Sequence, residues 1–303
     1  MDYDVWKQLM KVTRCVCRGV VPSVRSPIYP DLLIVRMYFW NVHHDRPQSW
    51  AADAEHYQGP RFRPRQLPSI SQYNRRIKTP SVELILQRTH DLTAEVDRAS
   101  PILTMDGKAL TVSPVSKDSQ ATRGHIPGGF GKGYKLHAQV TEDLRIVCWS
   151  VTSLHVAEQS VAMTFIAQNT APGCLLMADS NYDSAPLYKA TEQAGITYFT
   201  HLKGQKQVKN NQHHPVTLRQ MGAARRQAVA TWKEHPDLCR FVLQLREQIE
   251  RTFSALTCYG GGLGPLPAWV RTLERVRRWV GAKIILYHLR LQQRLAAGMS
   301  AAA

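Results

Sequence analysis

The sequence predicts an α/β layered domain with mixed strand directions, preceded by a helical region. Three observations carry this. Short apolar runs bounded by turn residues begin near residue 100, as buried strands do. The two β-rich runs in "GYKLHAQVTEDLRIVCWSVTS" are separated by Glu142-Asp143, which suggests a hairpin. Upstream of these, the apolar residues recur at helical spacing.

Taken in order, "PDLLIVRMYFWNVHH" reads as a helix that Pro30 is placed to open. "SISQYNRRIKTPSVELILQRTHDL" reads as two helical pieces. They break near Thr79, because Pro80 disfavours helix at the residue before it. Ser69 is placed to cap the first piece. "PILTMDGKAL" then reads as a strand that ends in an Asp106-Gly107 turn. After the hairpin come a helix in "SVAMTFIAQN", a short buried strand in "CLLMADS", and a helix in "SAPLYKATEQAG". That helix has Ser184 at its cap position and Gly195 as its stop. "ITYFTHLK" is a further strand, and "KGQKQVKNNQHHP" is a polar, basic loop. "CRFVLQLREQIERTFSALTC" reads as one long helix. "YGGGLGPLP" is a loop, and the segment from Val270 to Gly298 is helical with a dense basic face. Strands alternating with helices in this order make an α/β domain whose hairpin gives the sheet mixed directions.

The 303 residues carry 39 Lys and Arg against 23 Asp and Glu, a net charge of +16. Such a field attracts polyanions, of which nucleic acid is the commonest. The charge is uneven. Residues 1–95 carry +5, residues 96–201 carry −1, and residues 202–303 carry +12. A near-neutral middle between basic flanks suits a carboxylate-bearing core beside phosphate-binding surfaces. Six cysteines without paired CxxC spacing argue against a zinc site or a disulfide framework, so free thiols in a reducing compartment are expected. The start "MDYDVWKQLM" is acidic where a secretion signal is basic. "VGAKIILYHL" is too short to span a bilayer. The expectation is a soluble, cytoplasmic protein.

Two predicted strands end on aspartate: Asp106 after "ILTM" and Asp179 after "LLMA". Ligand sites in α/β sheets collect at strand ends. Two carboxylates emerging there from apolar residues repel each other unless a cation lies between them, and hard oxygen donors suit Mg2+ or Mn2+. A third acid is expected from the helix around residue 250. With Ile249 at the centre of its apolar stripe, Glu250 falls about 100° away and Glu247 about 160° away. Glu250 therefore borders the buried face, and Glu247 faces solvent. Arg246, one turn before Glu250, is placed to hold it or to contact a phosphate.

The pieces "MDGKAL", "GYKLHAQVTEDLRIVCWSVTSLHVAEQSVA", "ADSNYDSAPL" and "REQIERTFSAL" together resemble the DDE transposases of bacterial insertion sequences over roughly residues 100–295. The resemblance implies an RNase H-like mixed five-stranded sheet flanked by helices, with an N-terminal helical region. Residues 96–303 are then a catalytic domain with C-terminal helices, while residues 1–95 read as a helical DNA-binding region or as a plain helical cap on the core. It implies that Asp106, Asp179 and Glu250 are three metal-binding acids holding two Mg2+ ions, with Mn2+ as a substitute. The same site would cleave DNA at the ends of the element and join those ends to target DNA. Its partners would be the terminal inverted repeats and the target, held by a homodimer on DNA in a bacterial, nucleoid-associated setting. Spacings of 73 and 71 residues between the acids leave no room for the β-rich insertion that some members carry. Some relatives also have a Tyr and a Lys where this chain has Leu243 and Thr257. Two other readings remain open: a non-catalytic DNA-binding derivative, and a nuclease of the same fold that does not join.

Lys203 and Lys206 follow the last strand and are expected to contact phosphate; Arg75 and Arg76 cluster on the helical region as DNA-binding candidates. Asp118 reads as a solvated loop acid, Asp183 as a helix cap, His137 as a packed strand residue and Glu158 as a helix-start charge. The His213-His214 pair reads as a surface loop, and "HIPGGFGKGYK" as a flexible loop without nucleotide-binding spacing. Arg271, Arg275, Arg277 and Arg278 divide evenly between a DNA-binding patch and a solvated helix face.

Overall fold

A computed structural model of the protein describes residues 3–24, 28–57, 62–96, 100–203, 222–260 and 262–298. The chain divides into two compact units. One comprises Met1–Asp97, Val112–Gln120 and Ser254–Ala303; the other comprises Arg98–Thr111 and Ala121–Phe253.

The first unit is helical. Helix α1 (Tyr3–Arg18) buries Val5, Trp6, Leu9 and Thr13 on one stripe. Helix α2 (Asp31–His43) follows Pro30, whose extended ψ of 152° sets up the first turn. Helix α3 (Ile70–Arg76) opens on a capping box. Ser69 Oγ accepts from Gln72 N at 3.3 Å, and Gln72 Oε1 accepts from Ser69 N at 2.9 Å. Helix α4 (Pro80–Ala94) begins at the proline after extended Thr79, where the sequence places the break.

The last helix, α10 (Leu273–Ala296), is buried almost all round from Arg278 to Leu289, so it forms the centre of this unit, and its exposed basic face is confined to the start, at Arg275 and Arg277. Two of its cations are inside. Arg278 pairs with Glu274 at 2.7 Å and Glu83 at 3.2 Å, and Lys283, 2% exposed, pairs with Asp45 at 2.7 Å. Charges buried this way persist because partners replace the lost water. Asp118 is also buried, contrary to its reading as a solvated acid: it accepts from Gln120 N at 3.1 Å and from Thr272 N at 2.9 Å, at the entry to α10.

The second unit is built on a six-stranded mixed sheet. Strand β1 (Ile102–Thr111) pairs antiparallel with β3 (Gly129–Thr141) and parallel with β5 (Leu175–Ala178). Strand β5 pairs parallel with β6 (Thr197–Thr200), while β2 (Thr122–Ile126) and β4 (Ile146–Ser153) both pair antiparallel with β3. The path β4-β3-β1-β5-β6 is the expected RNase H-like mixed sheet. Strand β2 is the sixth, and it forms a hairpin with β3 from the glycine-rich segment that reads as a loop. Helices α5 (Glu158–Asn169) and α6 (Ala185–Gln193) pack over Leu103, Met105, Leu176, Ala178 and Tyr198 to make the core. Gly195, at φ +67°, stops α6 in the left-handed conformation that glycine adopts without strain.

Two boundaries differ from the sequence reading. Strand β1 does not turn at Asp106-Gly107; it continues to Thr111 because Asp106 and Gly107 stay in register with Ala138 and His137 of β3. The long helix is interrupted. After α7 (Ala223–Glu234), α8 (Pro236–Gln244) and α9 (Glu247–Ala255) are separate helices, and Leu256–Gly260 winds wider as a π-helix. Among the described residues, no helix is long and apolar enough to cross a membrane.

Candidate active site

The sheet brings Asp106 and Asp179 together. Register pairs Met105 of β1 with Ala178 of β5, so the next residue of each parallel strand is an aspartate. Neighbouring strands run about 4.8 Å apart. The two carboxylates feel each other: burial first, then the charges of Asp179 and Glu158, push the Asp106 carboxyl up to about 7. A backbone hydrogen bond from Gly107 N to Asp106 Oδ1, at 2.7 Å, and the nearby Arg246 pull the other way.

Asp179 caps the short 3-10 turn Ser180–Tyr182. Its Oδ1 accepts from Asn181 N at 2.8 Å and its Oδ2 from Asn181 Nδ2 at 3.1 Å. Beneath it, Tyr182 is 1% exposed and its hydroxyl finds no hydrogen-bond partner among the described residues. Burial and the charges of Glu158, Asp106 and Asp179 push that hydroxyl's pKa well above its ordinary value. Asp183 does not cap α6. Both its oxygens accept from Arg225, Nε and Nη2, at 2.7 Å, and Oδ2 also accepts from Lys203 N at 2.8 Å. This buried clamp ties the loop after Asp179 to α7 and to the end of β6.

Glu250 reaches the pair through Arg246. Nη2 of Arg246 donates to Glu250 Oε1 at 2.5 Å, and Nη1 lies 3.6 Å from Asp106 Oδ2. Both ends of this bridge lie in the sheet unit. Glu250 keeps 58% of its side chain exposed, more than its place beside the stripe suggests. The buried residues of α9 are Ile249, Thr252 and Phe253, and Glu250 stands outside them, as exposed as Glu247. Glu247 is exposed, as its position on the helix indicates, and pairs with Arg251 at 3.2 Å.

Glu158, first residue of α5, belongs to the same electrostatic neighbourhood. It accepts from Lys135 Nζ at 2.8 Å, and a Cβ at position 107 would lie 2.9 Å from its Oε1. Gly107 is therefore the residue that lets the acid approach β1. His137 is buried and pushed down to about 4, with Nε2 against Thr152 Oγ1 at 2.9 Å, so it is a packed strand residue.

Lys203 is exposed beside this cluster, its Nζ donating to Asn181 O at 3.4 Å. Lys206 and the His213-His214 pair lie outside the described residues. Arg75 and Arg76 belong to the helical unit. Arg75 is exposed, whereas Arg76 is tied to Asp31. Arg225 and Lys135 escape sequence reasoning, since nothing in their local pattern marks them as partners of buried acids.

The model of the transposase DDE domain matches residues 97–287. The chain belongs to this family. No curated protein matches it. Among solved structures, a piggyBac transposase synaptic complex with hairpin DNA, determined by cryo-EM, is similar at 10% identity and a TM-score of 0.45, over 99% of this chain and 74% of that one. Family membership places the chain with enzymes that cut and transfer DNA, and DDE transposases generally use divalent metals.

The donors present fit such an ion chemically. Asp106 and Asp179 offer hard carboxylate oxygens, and burial together with the charges of Asp179 and Glu158 holds the Asp106 carboxyl up, a strain that a cation beside it would relieve. Among the described residues, no three His, Cys, Asp or Glu side chains converge as one ligand set, and the Arg246 guanidinium occupies the space between Asp106 and Glu250.

Proposed function

We propose that this DDE transposase cleaves DNA strands at the ends of an insertion sequence and joins them to target DNA, with Asp106, Asp179 and Glu250 as its metal-binding acids. The observation that supports the reading most is the register that brings Asp106, midway along β1, beside Asp179, the residue just past the end of parallel β5. Divalent ions, Mg2+ or Mn2+, would supply an activated oxygen nucleophile and stabilise the leaving oxygen. The side chains then have separate tasks. Asp106 and Asp179 would hold such ions with their carboxylate oxygens, and the Asp183–Arg225 clamp keeps the Asp179 loop in place. Arg246, freed from its carboxylates, is suited to grip a non-bridging phosphate oxygen with its two parallel N–H groups. Lys203 lies on the exposed side of the Asp179 loop, where a DNA backbone would approach. Lys206 is expected to contribute similarly, and Arg75 to bind DNA from the helical unit. A homodimer would hold two DNA ends at once, in a bacterial cytoplasm.

The test is a cleavage and strand-transfer assay on labelled element ends with Mg2+. Asp179→Ala and Glu250→Ala are expected to abolish both products while leaving DNA binding intact. Cleavage that survives in Glu250→Ala would remove the third acid from the reading. Cleavage without joining in the unaltered protein would make it a nuclease. The exposure of Glu250 favours one alternative, a DNA-binding derivative without catalysis, which predicts binding and no metal-dependent product.

A further inference from the structure

The helical unit contains a cleft that the catalytic reading leaves unused. It is a cavity of about 200 Å³ whose walls include Trp269, Trp279, Gln48, Asn74 and Arg275. Drug-sized ligands occupy about 300–1,000 Å³, so this space suits a single ring system. Trp269 is 40% exposed, unusual for so large an apolar side chain, and its indole packs on no other aromatic ring among the described residues. The Gln48 and Asn74 amides are half-buried and make no hydrogen bond among the described residues. Arg278 also lines the cleft, and its Nε is buried without a partner. An open indole beside unused amide and guanidinium donors is the chemistry that receives a planar, hydrogen-bonding ring.

The surroundings specify what the ring is attached to. Arg275 is shared with an adjoining hollow that Lys78 and Arg277 also line. All three cations are exposed and without an ion pair among the described residues. Glu274, the acid in that hollow, is engaged with Arg278 at 2.7 Å. The net field there is positive and uncompensated, as a phosphate requires. Aromatic platforms beside a cationic track are how proteins hold single-stranded nucleic acid.

We infer that this cleft holds one unpaired nucleotide of single-stranded DNA, its base against Trp269 and its phosphates on Lys78, Arg275 and Arg277. Duplex DNA can offer a base only by unpairing and unstacking it, so the site favours a frayed or unpaired end over an intact helix.

The inference needs DNA as the partner but not the catalytic acids, and its test runs without chemistry. Binding of a labelled single-stranded oligothymidylate and of a blunt duplex is measured by fluorescence anisotropy in EDTA. Trp269→Ala is expected to weaken single-strand binding roughly five- to a hundredfold while leaving duplex binding unchanged. Trp269→Phe keeps a stacking face and is expected to retain most of the affinity. Trp269→Leu, which keeps bulk without a π-face, is expected to lose it, and this pair decides the matter if the alanine variant unfolds. Equal single-strand affinity in the Phe and Leu variants, or an equal loss on duplex, overturns the inference. Asp179→Ala is expected to bind the single strand as the unaltered protein does, so a failure of the catalytic reading leaves this result separate.

Discussion

The Arg246 guanidinium, in the turn between α8 and α9, lies 3.6 Å from the Asp106 carboxylate midway along β1. The same group bonds Glu250 at 2.5 Å, so one cation holds two of the acids assigned to metal binding. A divalent ion entering there has to compete with it.

Arg246→Gln is therefore expected to bind Mn2+ more tightly, by roughly threefold to tenfold, the size of an ion pair of ~1 kcal/mol. DNA affinity is expected to fall in the same variant, because a phosphate contact is lost. Titration calorimetry with Mn2+, in parallel with a DNA-binding isotherm, checks both directions. Weaker Mn2+ binding in Arg246→Gln would mean that the arginine organises the acids rather than competing for them.

Asp106 sets a pH dependence. Its carboxyl stands at about 7 in the fold against an ordinary 3.8, so the folded state prefers the proton. The sign follows from linkage: the stabilising preference is fully present below about 4 and is lost as pH rises through about 7. Asp106→Asn removes the penalty of a charged, buried carboxylate. It is expected to be more stable than the unaltered protein at pH 8, by about 1–3 kcal/mol, with the difference vanishing near pH 4. Denaturant melts at the two pH values measure this. Divalent-ion affinity in the unaltered protein is expected to rise from pH 6 to pH 8, since the ion needs the deprotonated carboxylate.

Gly107→Ala places a methyl 2.9 Å from Glu158 Oε1 and 3.1 Å from the Lys135 side chain. Neither neighbour gives way without loosening their 2.8 Å ion pair. The expected cost is about 1–3 kcal/mol of stability. Thermal unfolding of Gly107→Ala beside Glu158→Ala separates overpacking from lost charge: the double variant recovers stability if the clash with Glu158 is the cause.

Arg225→Ala leaves Asp183 buried with its two strongest donors gone. Breaking a buried pair from one side costs about 3–5 kcal/mol, more than most surface changes. Asp183→Asn in the same background removes the stranded charge and is expected to restore part of the loss. The readout is the denaturation midpoint of the single and double variants.

Strands and helices were legible where local physics decides them. The "LLMA" run, the Pro80 break, the Ser69 cap and the Gly195 stop all follow from propensity and turn chemistry near one another in the chain. What stayed hidden depends on distant partners. Asp106-Gly107 has the composition of a turn, yet pairing with β3 holds it in a strand. The interruption at Leu245-Arg246 lies in a stretch with good helix formers and no proline, so no residue announces it. Asp118 reads as a solvated acid because its partner, the backbone of Thr272, is far away in sequence. The adjacency of the two aspartates was readable as an inference from apolar runs ending on acids; the bridge to Glu250 was readable from its spacing to Arg246, and the Asp183–Arg225 clamp was not readable at all.

The central helix of the first unit is made long after the helices it packs against. On a ribosome the opening hundred residues emerge with Val5, Trp6, Ile34 and Phe39 lacking the Val280 to Leu289 segment that completes their interior. They have to remain unassembled while the whole sheet is synthesised and folds. A premature stop ahead of Leu273 would leave Val5, Trp6, Ile34 and Phe39 without the helix that covers them, although every strand of the sheet would already be made.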